Sequence, residues 1–320
     1  MKKWFKKGAA IAMSATMALS LAACASGKPA TPEEVLKAAS EKVAAAKSMS
    51  SEVIMDMKMT SAEQTIQMTM TGAVETIEEP MAMHMDMTMD MGAMGSMKMQ
   101  MYMTEEEGAY QLYVGTDDGS GATTWAAQSV PDADQMKQYD TQANMELYLK
   151  SGSNFQENGT ETIEGKETVR YDGVITNECF NEVFTSTGVL DQFSSLGVDA
   201  ETAQSMLTDL GDLPISVWVE KESNLPVKYE MDMTAIMQSI MTKTMEAADS
   251  TETITVESVY MTMLIHGIDN VESIEVPQEA LDAPRWMWTG EKKISLERLY
   301  NSEMADKLTR TSHDITIPVN

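Results

Sequence analysis

Met81-Ala-Met-His-Met-Asp-Met-Thr-Met-Asp-Met91 and, after a glycine-bearing break, Met97-Lys-Met-Gln-Met-Tyr-Met103 place a methionine at every second position. Alternation of this kind is the mark of a β-strand, in which successive side chains point to opposite faces and residues two apart share one. Methionine takes one face. His84, Asp86, Thr88, Asp90, Lys98 and Gln100 take the other, so the stretch predicts two antiparallel strands, dry on one side and wet on the other, joined through Gly92-Ala-Met-Gly95. A sheet that has only to fill a core normally uses Val, Ile and Phe, which hold few rotamers and specify one packing. Methionine is unbranched, polarizable and adaptable, and suits a surface that must fit varied apolar partners. The favoured expectation is therefore an adaptable apolar cavity or groove. Two alternatives stay open: an ordinary core in a methionine-biased chain, and a thioether site for Cu(I), which soft sulfur donors select.

The same alternation runs outward from the ladder. Met55, Met57 and Met59 alternate with Asp56, Lys58 and Thr60, and Met68 and Met70 with Thr69 and Thr71. Tyr110, Leu112 and Val114 continue it beyond the ladder, up to a turn at 117–121. The links are short, which predicts an antiparallel meander with the methionine face continuous over at least four strands. Leu213–Lys221 and Leu225–Met233 form a second hairpin about Glu222-Ser-Asn224, with Val227, Tyr229, Met231 and Met233 on one face. Strand is also expected over 159–176, about Glu164-Gly-Lys166, and over 253–266, with Met261, Met263 and Ile265 on one side. Helices are expected at 31–48, where Thr31-Pro-Glu-Glu34 is a capping box with proline in the first turn, at 179–189 and at 199–210. Met233, Met237, Met241 and Met245 fall at a spacing of four, a helical stripe. The expected ligand-lining set is Met55, Met57, Met59, Met68, Met70, Met81, Met83, Met85, Met87, Met89, Met97, Met99, Met101, Tyr229, Met231 and Met233.

The 320 residues carry a formal charge of −27, with no basic patch to displace counterions from phosphates, which argues against nucleic-acid binding. Membrane attachment has its signal at the N-terminus. Lys2, Lys3, Lys6 and Lys7 precede a short Ala-rich apolar stretch that ends Leu21-Ala-Ala-Cys24. The stretch is short for a span and has the flanks of a secretory signal. Leu-Ala-Ala-Cys resembles the lipobox of bacterial lipoproteins, which implies cleavage before Cys24 and a diacylglycerol on its thiol. Cys179 is then left without a partner and, beside Phe180 with no His near it in sequence, is expected to be a buried inert thiol.

The lipobox Cys, the capped helix Thr31-Pro-Glu-Glu-Val-Leu36, the meander, Glu164-Gly-Lys-Glu-Thr-Val-Arg-Tyr171, the stretch from Ile215 to Tyr229 and the closing Val276-Pro-Gln-Glu-Ala280 give residues 31–283 a likeness to a known group. They resemble the Lpp/Lpr-type lipid-carrier lipoproteins and the outer-membrane lipoprotein carriers of the LolA/LolB kind. The segment from Trp218 to Tyr229 is the most specific part. The resemblance implies an α+β fold, a half-barrel of curved antiparallel sheet wrapped around helices, whose concave face holds acyl chains.

The expected organisation is a signal peptide over 1–23, a lipidated tether over 24–30, one domain over 31–283 and a C-terminal extension over 284–320. That extension reads as a surface helix, or as a membrane-interface contact through Trp286 and Trp288. The expected partners are a hydrophobic small molecule or lipid and, through Cys24, the extracytoplasmic face of the cell membrane. The chain is read as a monomer without a cofactor. No catalytic constellation is present: the three histidines make no zinc-protease pair, and there is no Gly-x-Ser-x-Gly elbow or phosphate loop. The alternatives to an apolar-ligand carrier are a Cu(I)-binding lipoprotein and a non-binding structural or envelope-sensing module.

Overall fold

A computed structural model describes residues 30–61, 64–92, 95–106, 109–117, 119, 121–130, 141–177, 179, 208–247 and 253–287. Helix α1 (Pro32–Ala44) starts as the sequence predicts. The Thr31 hydroxyl accepts from the Glu34 amide at 3.3 Å, and the Glu34 carboxylate accepts from the Thr31 amide at 2.9 Å. The helix stops at Ala44 rather than near Ser48 because tertiary contacts claim the next residues. The Lys47 amide donates to Asp269, and Ser48 already pairs with Ile77 as the first residue of a strand.

Six strands follow as a meander: β1 (Ser48–Ser61), β2 (Gln64–Ile77), β3 (Ala82–Asp90), β4 (Ser96–Glu106), β5 (Ala109–Asp117) and β6 (Thr124–Val130). After α2 (Thr141–Ser151) come β7 (Gly152–Ile163), β8 (Lys166–Ile175), β9 (Leu213–Glu220) and β10 (Pro226–Asp232). Then follow α3 (Thr234–Ala247), β11 (Ile254–Ile268), the short α4 (Gln278–Leu281) and β12 (Arg285–Met287). All twelve strands among the described residues form one open sheet in the order β12-β6-β5-β4-β3-β2-β1-β11-β10-β9-β8-β7. Strand β11 lies between β1 and β10 and so joins the two meanders. Every pair is antiparallel except β6 with β12.

The hairpins expected from sequence form where the turn chemistry allows. Glu164 and Gly165 both have positive φ (48° and 81°), as a two-residue turn between right-twisted strands requires. Strand β6 was not expected, since Thr124-Trp-Ala-Ala-Gln-Ser-Val130 alternates weakly; its pairing with β5 seats Trp125 across from Gly115, where a Cβ would lie 2.9 Å from the indole. At the β7 edge the ladder is interrupted twice, near Asn154 and Gly159, both at positive φ. Such interruptions discourage edge-to-edge pairing.

The main core lies over one end of the sheet. Leu36, Ala39 and Val43 of α1, Met145 and Leu149 of α2, and Ile236 and Ile240 of α3 pack with Tyr171, Ile175, Ile215, Val217, Tyr229 and Met231. The sheet is a single, curved, unclosed antiparallel one with few helices. Of the described helices, α1, α2 and α3 pack at the β7–β11 end and α4 packs on β5 and β6 on the other face, so the expected α+β fold holds as a curved, open, mostly antiparallel sheet with few helices. The stripe in α3 is helical as expected, but its buried side is Ile236 and Ile240, while Met237, Met241 and Met245 are half-exposed. On the opposite face Ala280 and Ala283 pack on Tyr102, Tyr113 and Ala127 as the chain after β11 crosses back toward β6. Cys179 is half-buried at the rim of the main core, less enclosed than the sequence suggested. Cys24, Trp288, the remainder of the C-terminal extension and nearly all of the expected helices at 179–189 and 199–210 lie outside the described residues.

Candidate apolar binding face

Directly paired residues in a sheet share a face, so the register alone assembles the site. Met231 pairs with Met261, Met261 with Met55, Met55 with Met70, Met70 with Met89, and Met89 with Met97. One unbroken row of thioethers thus crosses β10, β11, β1, β2, β3 and β4. With strands about 4.8 Å apart the row spans roughly 24 Å. The neighbouring row runs from Tyr229 through Met263, Val53, Gly72 and Met87 to Met99. Met261 and Met263 were not in the expected ligand-lining set. Alternation gave their face, but only the long-range pairing of β1 with β11 shows that it is the ladder's face.

Exposure along this face changes in a regular way. The row through Met49, Thr76, Met83 and Met103 is closed, with exposures of 1%, 6%, 1% and 0%. In the next row Ser51, Val74 and Met101 are buried and Met85 is half-exposed. Beyond it Met87, Met99, Met55, Met70, Met89, Met97, Met57 and Met68 are all half-exposed, and at the β1–β2 tip Met59 is half-exposed and Ile66 is 40% exposed. The face is therefore shut at its base, where Val74, Met83, Met101 and Met103 form a small core, and opens toward the hairpin tips.

Of the expected lining residues, Met83, Met101, Tyr229 and Met231 are buried against the protein's own side chains, so they support the face from beneath instead of presenting a surface. Burial also pushes the Tyr229 phenol well above its ordinary range. The remaining twelve, Met81 and Met233 among them, are half-exposed. Among the described residues the geometry is that of an open face, the groove form of the cavity or groove that the sequence favours. Two depressions among the described residues are of mixed lining, one beside Asp86, Met87, Lys98, Met99, Gln100 and Asp117 and the other beside Gln156, Asn158, Asp172 and Val174.

The wet face is as predicted. His84 stacks on Tyr102 at 4.3 Å, its Nδ1 is 3.3 Å from Glu75, and its Nε2 is 3.4 Å from Asp86, outside hydrogen-bond geometry. His84 is therefore held by carboxylates on the side away from the thioethers. His266, at a break in the β1–β11 register, lies 3.1 Å from Glu164. Among the described residues no three of His, Cys, Asp and Glu come together as a metal site would require.

A feature the sequence did not disclose lies on this outer face. Trp218 pairs with Arg170 on one side and Lys228 on the other, and is 1% exposed beneath the two cations, which stand 4.9 Å and 4.2 Å from its ring. Arg170 Nε and Ser216 Oγ donate to Asp172 at 2.6 and 2.7 Å, and Asn158 donates to its other oxygen. Partial burial pushes the Asp172 carboxyl up, but these hydrogen bonds together outweigh it and hold the group below the usual carboxylate range.

Solved structures that resemble the chain are distant in sequence. They include LprF from Mycobacterium bovis (12% identity, 78% of this chain and 96% of that chain covered, TM-score 0.44) and the lipoprotein LppX of Mycobacterium tuberculosis (13%, 77% and 100%, 0.40). A DUF1329 family protein from Desulfovibrio piger follows (9%, 76% and 93%, 0.25). No curated protein matches the chain. Residues 31–285, nearly the whole of the described sheet and its helices, match the model of a family of unknown function, DUF6612, and the chain belongs to that family.

Proposed function

We propose that the protein is an exported, lipid-anchored lipoprotein that holds an apolar molecule, an acyl lipid or a lipoprotein segment, on the open part of its methionine face. The observation that carries this reading is the row Met231–Met261–Met55–Met70–Met89–Met97, buried at its β10 end and half-exposed from β11 to β4. One leaflet of a bilayer holds about 15 Å of hydrocarbon, so an acyl chain laid across the strands fits within the row's length. Met231 is already buried and the other five are half-buried, so each of those five, and of the neighbouring half-exposed Met57, Met68, Met87, Met99 and Met263, adds about 1 kcal/mol on full burial, roughly 10 kcal/mol in all. After at least about 4 kcal/mol of association cost, about 6 remain, an affinity of tens of micromolar. Thioether side chains reshape around different chains, which makes the face tolerant rather than selective.

Attachment is assigned to Cys24, cleaved free of residues 1–23 and acylated, with 24–30 as tether and the acidic domain on the extracytoplasmic side of the cell membrane. No described helix is long and apolar enough to cross a membrane. The role is binding without catalysis.

Native mass spectrometry of the protein purified from its own host, with titration of a fluorescent fatty-acid probe, tests the reading. The expected result is a co-purifying lipid mass and saturable probe binding. Met70→Asp and Met89→Asp should each weaken that binding about tenfold or more, because a charge must be desolvated under the chain. Absence of both the lipid mass and saturable binding in the folded wild type overturns it.

A further inference from the structure

The two ends of the inner face differ in the apolar side chains they use. Beneath the helices it is built chiefly from Val169, Ile175, Ile215, Val217 and Tyr229. In the open part it is built almost wholly from methionine. Leu, Ile or Val would supply the same burial and specify the sheet better. Sulfur is what methionine adds; the closed base also holds it, in Met49, Met83, Met101 and Met103, but the open part carries the larger and water-accessible share.

The register groups these sulfurs. Met55 faces Met70 and Met57 faces Met68, which makes a quartet on the β1–β2 hairpin. Met87 faces Met99 and Met89 faces Met97, a second quartet on β3–β4, and Met70 pairs with Met89 to join the two. All eight are half-exposed. The diagonal of such a cross-strand square is about 7–8 Å between Cβ atoms, so its centre is roughly 4 Å from each. A thioether sulfur two bonds beyond Cβ reaches that centre from three or four corners at once. His84, Asp86, Asp56 and Asp90 project to the opposite face, so no borderline or hard donor competes at the quartets. A sulfur-only set selects soft cations and has little affinity for Zn²⁺, Mg²⁺ or Ca²⁺.

We propose that the two hairpin quartets, Met55/Met57/Met68/Met70 and Met87/Met89/Met97/Met99, are thioether sites for a soft monovalent cation, Cu(I). The proposal stands independently of the apolar-ligand reading, because leucine substitution separates them: it keeps the apolar surface and removes the sulfur.

The purified full chain is titrated anaerobically with Cu(I) against a chromophoric Cu(I) chelator. Wild type should take up about two equivalents at submicromolar affinity. Leucine at all four positions of one quartet should remove about half of that uptake, and leucine at all eight should abolish it. The circular dichroism spectrum and the urea midpoint should change little in both variants, so that lost uptake is read as lost sulfur and not as lost fold. Leucine at Met83 and Met103, a facing pair closed to solvent, should leave uptake unaltered. X-ray absorption of the loaded protein should show sulfur alone in the first coordination shell. No submicromolar uptake by wild type, full uptake in the eight-leucine variant, equal loss on changing the buried pair, or a nitrogen- or oxygen-containing shell would each overturn the proposal.

Discussion

Met103 and Met70 occupy the same face of the sheet in the same Met-x-Met context, yet one is fully buried and the other half-exposed. Deleting a closed side chain leaves a void, and for Met→Ala in a core the cost is about 2–5 kcal/mol. Where water already reaches the group, truncation costs about 1 kcal/mol or less. Met103→Ala is therefore expected to lower the urea midpoint sharply and Met70→Ala hardly at all, with similar m-values. Equal losses would mean that the face is closed throughout. Nothing local in the sequence separates these two positions; the end of the sheet each lies toward does, Met70 toward the β1–β2 and β3–β4 hairpins and Met103 toward the β2–β3 and β4–β5 turns.

At the level of elements, the β7–β10 end is tied together on its outer face by the Asp172 network, which joins Asn158 of β7, Arg170 of β8, Ser216 and Trp218 of β9 and, through the Trp218 ring, Lys228 of β10. The Asp172 carboxyl lies lower in the folded state than in the unfolded one, so the unfolded chain binds more protons and stability from this group rises with pH. That contribution is complete above the ordinary carboxylate range near pH 4 and is lost as pH falls through the folded value. Asp172→Asn should thus be less stable than wild type at pH 7, with the gap closing toward pH 3; denaturant midpoints at the two pH values measure it. The hairpins of this region were legible from alternation and from Glu164-Gly165. The network was not, because its partners are 14, 44 and 46 residues apart in the chain and meet only through strand register.

For the whole molecule the dominant quantity is the formal charge of −27. A surface of that sign is repelled by anionic head groups, so the domain has no electrostatic route to a membrane. On the proposed acylation of Cys24, two acyl chains at about 0.8 kcal/mol per buried CH₂ would supply a hydrophobic one. Cys24→Ser in the native host is expected to shift the protein from the membrane fraction to the soluble one without altering probe affinity. Retention in the membrane fraction would place the anchor elsewhere.

What the sequence determined by itself was local: the period of two that makes the strands, the face each methionine takes, the capping box of α1 and the turn residues. These follow from backbone geometry and nearest neighbours, which the order of residues states directly. Strand β6 escaped because two adjacent alanines blur its alternation, and the end of α1 was misjudged because Asp269 and Ile77 capture the chain from far away. The placing of β11 between β1 and β10, the union of Met261 and Met263 with the ladder, and the division of one face into a helix-covered end and an open end were decided by tertiary structure. Alternation fixes which side of a strand is apolar; what comes to lie over that side depends on how distant segments pack.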